Sequence, residues 1–492
     1  MAQLPADCLN EIFEYLSRDG KSLISCLLVN RLWCEIAVPI IWRNPWRFGK
    51  AFVQSVLLCH IASLPEGSMD LLNECRAKLS KERLVAPPLL FDYIRYIRIL
   101  TPFEIEMISS AMAWTIENDE IHAQYVKILI EQELYKMFIN KCPNLKQLQL
   151  PEIPIWYFPG ANICFDKLQR LDCYHDVPSR SYFELAQVCR NLKRLIVRIF
   201  DAQNYGLTSL IQNQHALQHI ELTSDDIDIQ HIGDALSSQA DSLLHVYFHG
   251  KLCIPTNSLA TLVNLRSLKL NLVEEVKDRK SLESVYFPYL EVFDVDDFFT
   301  PFYVYTNLIS KAPNLTRIHW GTLTRASIKE LKDYIQVISR CPNLNFVTLW
   351  YHDSILDLLD QLFLACSRLE GIRFVTDTVV WAEKLFDLLA NKAPRSLKIL
   401  NLGGGEYYDV EYADWEFTNE VLDTFLQTWK LEKRKPLSIY INPESEISYN
   451  CIRITDKYIK DGVLKTYKYV DFFDEVECIR ESWDAGINYR HN

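Results

Sequence analysis

The 492-residue sequence has few of the residues that interrupt regular structure, and it lacks the motifs of common enzymes. It contains only 14 glycines and 20 prolines, which argues against a loop-rich or low-complexity chain. It has no G-x-S-x-G, H-E-x-x-H or kinase-type motif, on which hydrolases, zinc proteases and kinases depend. We therefore expect a non-catalytic protein with no catalytic residues, no metal ligands and no cofactor.

Other missing sequence features indicate the cellular compartment of the protein and the partners that it lacks. The 14 cysteines include no C-x-x-C pair, which excludes zinc-ribbon and thioredoxin-like patterns. No apolar run approaches the ~18 residues of a membrane span, and the first residues lack a signal-peptide pattern. A net charge of −12 argues against bulk nucleic-acid binding. We expect an intracellular protein, cytoplasmic or nuclear, with reduced thiols and with neither nucleic acid nor membrane as a partner.

One short motif recurs through the middle of the sequence, and it predicts a repeat protein. Its core is L-x-x-Φ-x-Φ, where Φ is apolar or aromatic, and successive copies begin 22 to 29 residues apart. The first leucines of the copies are Leu145, Leu168, Leu192, Leu217, Leu243, Leu265, Leu290, Leu315, Leu344, Leu369 and Leu397. Fainter copies lie at Ile94 and Leu437. The Φ-x-Φ alternation is typical of a short strand, and stretches of helical period separate the copies.

Each repeat is therefore expected to be a strand with a return helix, and such repeats bury their apolar faces by stacking into a curved solenoid. The pattern resembles the irregular, cysteine-containing leucine-rich repeats, whose C-x-x-L opening appears at Cys142, Cys189, Cys341 and Cys366. These cysteines are expected to be buried at the ends of the return helices rather than to be reactive. The Asn or Cys that usually follows the strand in that family is mostly absent, so the turns are expected to be irregular.

The sequence begins with LPADCLNEIFEYL, and its pattern predicts a helix over residues 6–16 with an apolar side. Second and third short helices are predicted over 23–28 and 31–41. Three helices of this size hold too little core to be stable alone. They are therefore either a terminal cap of the solenoid or a module that needs a partner.

The same stretch resembles an F-box. The matching residues are Leu4, Pro5, Leu9, Ile12, Phe13, Tyr15, Leu16, Val29, Arg31, Trp33 and Trp42. The match departs from the family at Cys8, preceded by Asp7, and at Asn30. The resemblance implies binding to a Skp-family adaptor and through it to a cullin–RING ubiquitin ligase. The implied adaptor-binding residues are Leu4, Pro5, Leu9, Ile12, Phe13, Leu16 and Leu27, whereas Trp33 is expected to pack inside the module.

In the strand pattern, the residues that flank the middle Φ point away from the core, and in a solenoid they line the concave face. The residues predicted to bind a protein substrate there are Arg170, Arg194, Arg198, His245, Tyr247, Asp294, Arg317, His319, Phe346 and Trp350. Arginine and aromatic anchors suit a protein or peptide partner, and the three first arginines could grip a carboxylate or phosphate. For any one of these residues the alternative is an ordinary solvated strand face.

The sequence thus predicts an α/β protein of four segments. These are an F-box at 1–46, a helical linker with irregular first repeats at 47–140, leucine-rich repeats at 141–405, and a capping region with a degenerate repeat at 406–492. Within the linker, 101–140 could be an insertion, a lid or a spacer. The function that the resemblance implies is that of a substrate-recognition subunit of a Skp–cullin–F-box ubiquitin ligase. The alternatives are an F-box scaffold acting outside ubiquitination, a plain leucine-rich scaffold with a helical cap, and an enzyme.

Overall fold

The computed structural model describes residues 4–48, 50–74, 89–113, 120–224, 230–297, 299–323, 326–376, 378–404, 415–441 and 452–469. The chain divides into two compact units, Met1–Ile220 and Glu221–Asn492, which we treat separately. Within the described ranges, no helix has both the length and the apolar character that crossing a bilayer requires.

Helices dominate the start of the first unit and then alternate with strands. Its α-helices are α1 Ala6–Tyr15, α2 Gly20–Cys26, α3 Arg31–Ile41, α4 Lys50–Ala62, α5 Glu66–Glu74, α6 Pro102–Ala113, α7 Glu120–Lys141, α8 Ala161–Asp166, α9 Ser179–Val188 and α10 Tyr205–Gln212. Its strands are β1 Ile99–Leu100, β2 Gln147–Gln149, β3 Arg170–Cys173 and β4 Arg194–Ile199. The unit boundary falls inside β5 His219–Ser224.

The second unit alternates strand and helix through most of its described length. Its helices are α11 Gln230–Ser237, α12 Thr256–Ala260, α13 Arg279–Ser284, α14 Phe302–Ile309, α15 Ile328–Ile338, α16 Leu356–Ala365, α17 Glu383–Lys392, α18 Asn419–Leu431 and α19 Ile452–Lys460. Its further strands are β6 His245–Gly250, β7 Ser267–Leu272, β8 Val292–Asp297, β9 Arg317–Leu323, β10 Phe346–Trp350, β11 Gly371–Thr376, β12 Val380–Trp381, β13 Ile399–Gly404, β14 Trp415–Glu416, β15 Leu437–Ile441 and β16 Leu464–Tyr469. Short 3-10 helices lie at Leu16–Arg18, Pro45–Phe48, Tyr93–Tyr96, Ile155–Tyr157 and Asp353–Ile355.

The strands of each unit pair in parallel and nearly in chain order. In the first unit β1 to β4 follow one another. In the second unit β6 to β11 are followed by β13, β15 and β16, and β12 pairs with β14 in a separate small sheet. Parallel neighbours need a crossover, which the helices supply. The predicted α/β fold of strand-plus-helix repeats is confirmed.

The repeat motif sets both the core and the start of each strand. All eleven anchor leucines from Leu145 to Leu397 are 0–1% exposed. In each of these eleven copies the strand begins two residues after its anchor, as in β2 after Leu145 and β13 after Leu397. A buried leucine contributes roughly 1.5–3 kcal/mol of hydrophobic stabilisation, so this position helps to hold each repeat to its neighbours. The faint copies also form strands, namely β1 after Ile94 and β15 at Leu437.

The four cysteines of the C-x-x-L openings lie where the pattern placed them. Cys142, Cys189, Cys341 and Cys366 are 0–2% exposed, and each follows the end of a return helix. Burial raises the pKa of the Cys341 thiol to about 11 and that of Cys366 to about 12. Such thiols remain protonated at neutral pH, and their role in these repeats is to pack.

Helices α6 and α7 form the connection between the first two strands. Since β1 and β2 are parallel neighbours with Ile99 opposite Gln147, the segment between them occupies the position of a return helix. Glu133 of α7 accepts a hydrogen bond from the hydroxyl of Ser68 (2.7 Å) and one from the Lys136 ammonium (2.6 Å). The described part of 101–140 is therefore an enlarged crossover packed within the first unit.

Candidate interaction surfaces

The first three helices form a small module whose boundaries have local causes. Helix α2 begins where the carboxylate of Asp19 accepts the backbone N–H of Ser22 at 3.2 Å, and α3 begins where the Asn30 side chain accepts the N–H of Trp33 at 2.9 Å. Such N-caps typically contribute about 1 kcal/mol each. Asn30, a departure from the F-box pattern, thus has a clear structural role here.

The inner side of α1 provides the core of the three-helix module. Leu9 and Phe13 are 3% and 1% exposed, and Leu23 of α2 is fully buried. The Phe13 ring meets the edge of Trp33 with centroids 5.1 Å apart. Trp33 therefore packs against the module's core, as the sequence predicts.

A partly buried ion pair between Glu14 and Arg43 connects the end of α1 to the segment that follows α3. The Arg43 guanidinium donates from both terminal nitrogens to the two carboxylate oxygens of Glu14, at 2.7 and 2.6 Å. These hydrogen bonds hold the pKa of Glu14 below its usual value. Two-pronged pairs of this kind are the strongest form of the contact, and this one joins the end of α1 to the residue that follows Trp42.

Several apolar side chains of the module are exposed. We call this set the apolar surface of the module: Leu4 (54% exposed), Ile12 (45%), Tyr15 (88%), Leu28 (86%) and Val29 (55%). Single exposed leucines are normal, whereas several exposed apolar side chains on one short module make it a candidate interaction surface.

The predicted adaptor-binding residues divide into exposed or half-buried residues and residues of the module's core. Leu4, Pro5 and Ile12 are exposed and Leu16 and Leu27 are half-buried, whereas Leu9 and Phe13 lie inside. The sequence prediction omitted Tyr15, Leu28 and Val29. Tyr15 and Val29 were already part of the F-box pattern. The sequence did not show that Leu28 is more exposed than Leu27, because it did not show that α2 ends at Cys26.

In the second unit, strand register brings most of the predicted substrate-binding residues onto one face. His245 is opposite Ser267, and the same row continues through Val292 to Arg317 and Phe346. The next row on that face runs from Tyr247 through Lys269 and Asp294 to His319. Trp350 lies on the same face of β10, two rows after Phe346, because alternate residues of a strand share a face.

The side chains of this face interact closely with one another. Asp294 lies 2.8 Å from Nδ1 of His319 and 3.7 Å from Nζ of Lys269, while the Arg317 guanidinium lies over the Phe346 ring at 5.5 Å. Arg317 and His319 are only 9% and 7% exposed. At Arg317 and His319 the side chains are therefore packed rather than freely solvated.

The three arginines of the first unit have different surroundings. Arg170 and Arg194 lie opposite each other on β3 and β4. The Arg170 side chain is held by Asp172, with Nε–carboxylate distances of 2.9 and 3.0 Å, so its charge is largely neutralised. Arg198 is exposed, with its guanidinium 5.4 Å from the Phe200 ring centroid.

Among the residues that the structure describes, no group of three or more His, Cys, Asp or Glu side chains is placed to hold a metal ion.

Comparison with known proteins identifies the start of the chain. Residues 1–47 match the F-box-like family, so the chain carries an F-box-like domain at its N-terminus, followed by strand–helix repeats. No curated protein was found to match the chain.

Among solved structures, similarities are distant. They include a leucine-rich repeat-containing protein, LegL7, from Legionella pneumophila (13% identity over 49% of this chain and 87% of that one, TM-score 0.29). They also include the complex of Rad7 and Elc1 in yeast (13%, 90% and 94%, TM-score 0.36) and an internalin, InlF, from Listeria monocytogenes (14%, 57% and 82%, TM-score 0.31). Similarities at this level support no argument about the function of this chain.

Proposed function

We propose that this chain is a substrate-recognition subunit of a Skp–cullin–F-box ubiquitin ligase. The F-box-like domain binds a Skp-family adaptor, which links it to a cullin–RING ligase, and the repeats bind a protein substrate. The observation that carries the proposal is the apolar surface on a module that matches the F-box-like family. In this role the chain does no chemistry and acts by holding a substrate close to a ubiquitin-charged enzyme.

The adaptor contacts are assigned to the side chains that a partner can reach. Leu4, Pro5, Ile12, Leu16 and Leu27 are exposed or half-buried, and the proposal adds Tyr15, Leu28 and Val29 to this predicted set. Insertion of an apolar helix face into a partner's groove is a common mode of recognition. Leu9 and Phe13 support the contact from inside, because they fix α1 in the position that displays Ile12.

The substrate is assigned to the face formed by the strands. Of the residues predicted there, His245, Tyr247, Asp294, Arg317, His319, Phe346 and Trp350 share the face of the second unit, and Arg170, Arg194 and Arg198 lie in the first. Arginine and aromatic residues are the side chains most often found at the centre of protein interfaces.

The first test is binding of purified, labelled Skp-family adaptor to the full chain. The variant Ile12→Asp/Leu28→Asp places charges on the apolar surface without touching the buried core. Two apolar contacts of ~1.5–3 kcal/mol each are lost, so affinity should fall by a factor of about 100 or more. The matched control is Ile163→Asp/Leu364→Asp, because these residues are 67% and 79% exposed outside the module.

Three outcomes are distinguishable. If wild type and control bind and the module variant does not, the adaptor assignment stands. If wild type fails to bind, the module is a terminal cap and the proposal is wrong. If the adaptor binds but cullin cannot be added to the complex, the chain is an F-box scaffold that acts outside ubiquitination.

A further inference from the structure

Four basic residues cluster at the edge of the first unit where its strands begin. Arg98, Lys146 and Lys193 directly precede β1, β2 and β4, and backbone hydrogen bonds connect these positions through Gln169. The N–H of Lys146 donates to the Arg98 carbonyl at 2.8 Å, that of Gln169 to Lys146 at 2.9 Å, and that of Lys193 to Gln169 at 2.8 Å. Lys167 precedes the anchor of the intervening repeat. We call Arg98, Lys146, Lys167 and Lys193 the basic ladder.

No carboxylate of the described residues forms an ion pair with the basic ladder, although Glu14 acts on Arg98 and Asp166 on Lys146 from a greater distance. In the part of the chain that is described, no ladder side chain forms an ion pair within 4.0 Å. Lys167 instead donates to the side-chain oxygen of Asn144 at 3.0 Å. Other basic residues of the same unit are paired, as Arg170 is with Asp172.

The ladder side chains are close enough to repel one another. Burial lowers the pKa of Lys146 first, and the positive charges of Arg98, Lys167 and Lys193 lower it further, against one nearby carboxylate, Asp166. A set of like charges without ion-pair partners raises the energy of the folded chain, and an anion that binds among them relieves that repulsion.

The charge distribution along the sequence makes this cluster more distinctive. Residues 1–220 carry equal numbers of basic and acidic side chains, so the net charge of −12 belongs entirely to residues 221–492. A basic site on an otherwise acidic chain attracts a short anionic segment, whereas a long polyanion would also meet the repulsion of the acidic part.

We propose that the basic ladder binds an acidic segment, rich in Asp and Glu, of the protein substrate. Strand starts lie ~4.8 Å apart, so the three steps from Arg98 to Lys193 span about 14 Å. An extended peptide rises ~3.4 Å per residue and covers that distance with about four residues, of which alternate ones face the ladder. Nucleic acid is the less favoured occupant, because affinity for it grows with the number of phosphates neutralised and the ladder offers four cations.

The test measures fluorescence anisotropy of a labelled poly-glutamate peptide with the full chain, in the absence of adaptor. The variant is Lys146→Gln/Lys167→Gln/Lys193→Gln, which keeps the long side chains and removes three charges. Its affinity should be roughly tenfold weaker, as expected for three exposed ion pairs of ordinary strength, and added salt should weaken wild type more than the variant. The matched control is Lys280→Gln/Lys329→Gln/Lys332→Gln, which removes the same charge from the second unit.

Binding that the ladder variant weakens and the control does not would support the proposal. It is overturned if wild type does not bind the peptide, if both triple variants weaken binding equally, or if oligo-dT binds more tightly than poly-glutamate. Circular dichroism melting curves verify that the variants are folded. Naming the substrate as the source of the acidic segment rests on the proposed receptor function, but because this assay contains no adaptor, failure of adaptor binding and failure of the ladder are observed separately.

Discussion

His60 of α4 is the titratable group whose burial has the clearest consequence for stability. Its ring is fully buried among Trp42, Trp46 and Phe138, with centroid distances of 5.6, 5.5 and 5.4 Å. Its Nδ1 lies 2.6 Å from the carbonyl oxygen of Val56, to which the neutral ring donates. Burial lowers the pKa of His60 from 6.5 to about 4, although the hydrogen bond to Val56 acts in the opposite direction.

This lowered pKa makes the first unit less stable as the solution becomes acidic. Below about pH 6.5 the unfolded chain takes up a proton on this ring, while the folded chain does not do so until about pH 4. The contribution of the neutral His60 ring to the free energy of unfolding is therefore undiminished above about pH 6.5 and is lost as the pH falls toward about 4. The full difference of about 2.5 pKa units corresponds to about 3 kcal/mol, of which about 2 kcal/mol is already lost at pH 5.

The perturbation is His60→Phe, which keeps an aromatic ring in the site but cannot be protonated. The assay is amide hydrogen exchange of α4, read by mass spectrometry for wild type and variant at about pH 7.5 and about pH 5. Local exchange is the appropriate measurement, since a chain of two units need not unfold in one step. The free energy of opening should fall between these pH values by about 2 kcal/mol more in wild type than in the variant.

The comparison between variants is needed because other groups titrate in the same direction. Arg43 holds the pKa of Glu14 low, so that ion pair also loses stabilisation as its carboxylate is protonated. This background is common to both proteins and cancels in the difference. Equal pH dependence of wild type and His60→Phe would refute the reasoning, because it would mean that the buried ring is not kept neutral.

Three further predictions concern packing and reactivity. Phe13→Ala should lower the free energy of unfolding of the module by roughly 3–5 kcal/mol, seen as a lower melting temperature, whereas Tyr15→Ala should leave it nearly unchanged. Gly206→Ala should destabilise the first unit, because an added Cβ would lie 1.8 Å from a backbone carbonyl oxygen of α9, and a normal melting curve would contradict that geometry. In native protein, iodoacetamide should alkylate exposed Cys8 well before buried Cys366, whose pKa burial raises to about 12; mass spectrometry of the labelled peptides measures the order.

Much of the fold was predictable because its signal is local and repeated. The anchor leucines and the alternation after them identified every strand from β2 to β11 as well as β13, and the helical period between them identified the crossovers. The pairing of β1 with β2 was indicated only by the faint copy at Ile94, since 46 residues separate Leu100 from Gln147. The sequence left open whether the segment between them is an insertion, a lid or a spacer.

The candidate sites were predictable only in part, because exposure depends on packing. The F-box resemblance selected the apolar residues of α1 together, but it did not separate Phe13, which is buried, from Ile12, which is exposed. On the repeats, alternation correctly placed Asp294 and His319 on one face but gave no indication that they contact each other. Two residues of the basic ladder, Lys146 and Lys193, follow the anchor in NLKQL and NLKRL, and the significance of the ladder depends on strand starts being adjacent in space.

The constant distance from anchor leucine to strand has a consequence for how this chain can change. Because β2 to β11 and β13 each begin two residues after their own buried leucine, an insertion in one return helix or turn alters the length of that repeat without shifting the pairing of the next. Copies that begin from 22 to 29 residues apart are compatible with one register for this reason. Natural variation in length can therefore accumulate on the helical side, while the side chains on the strand face vary separately and can adapt to a new partner.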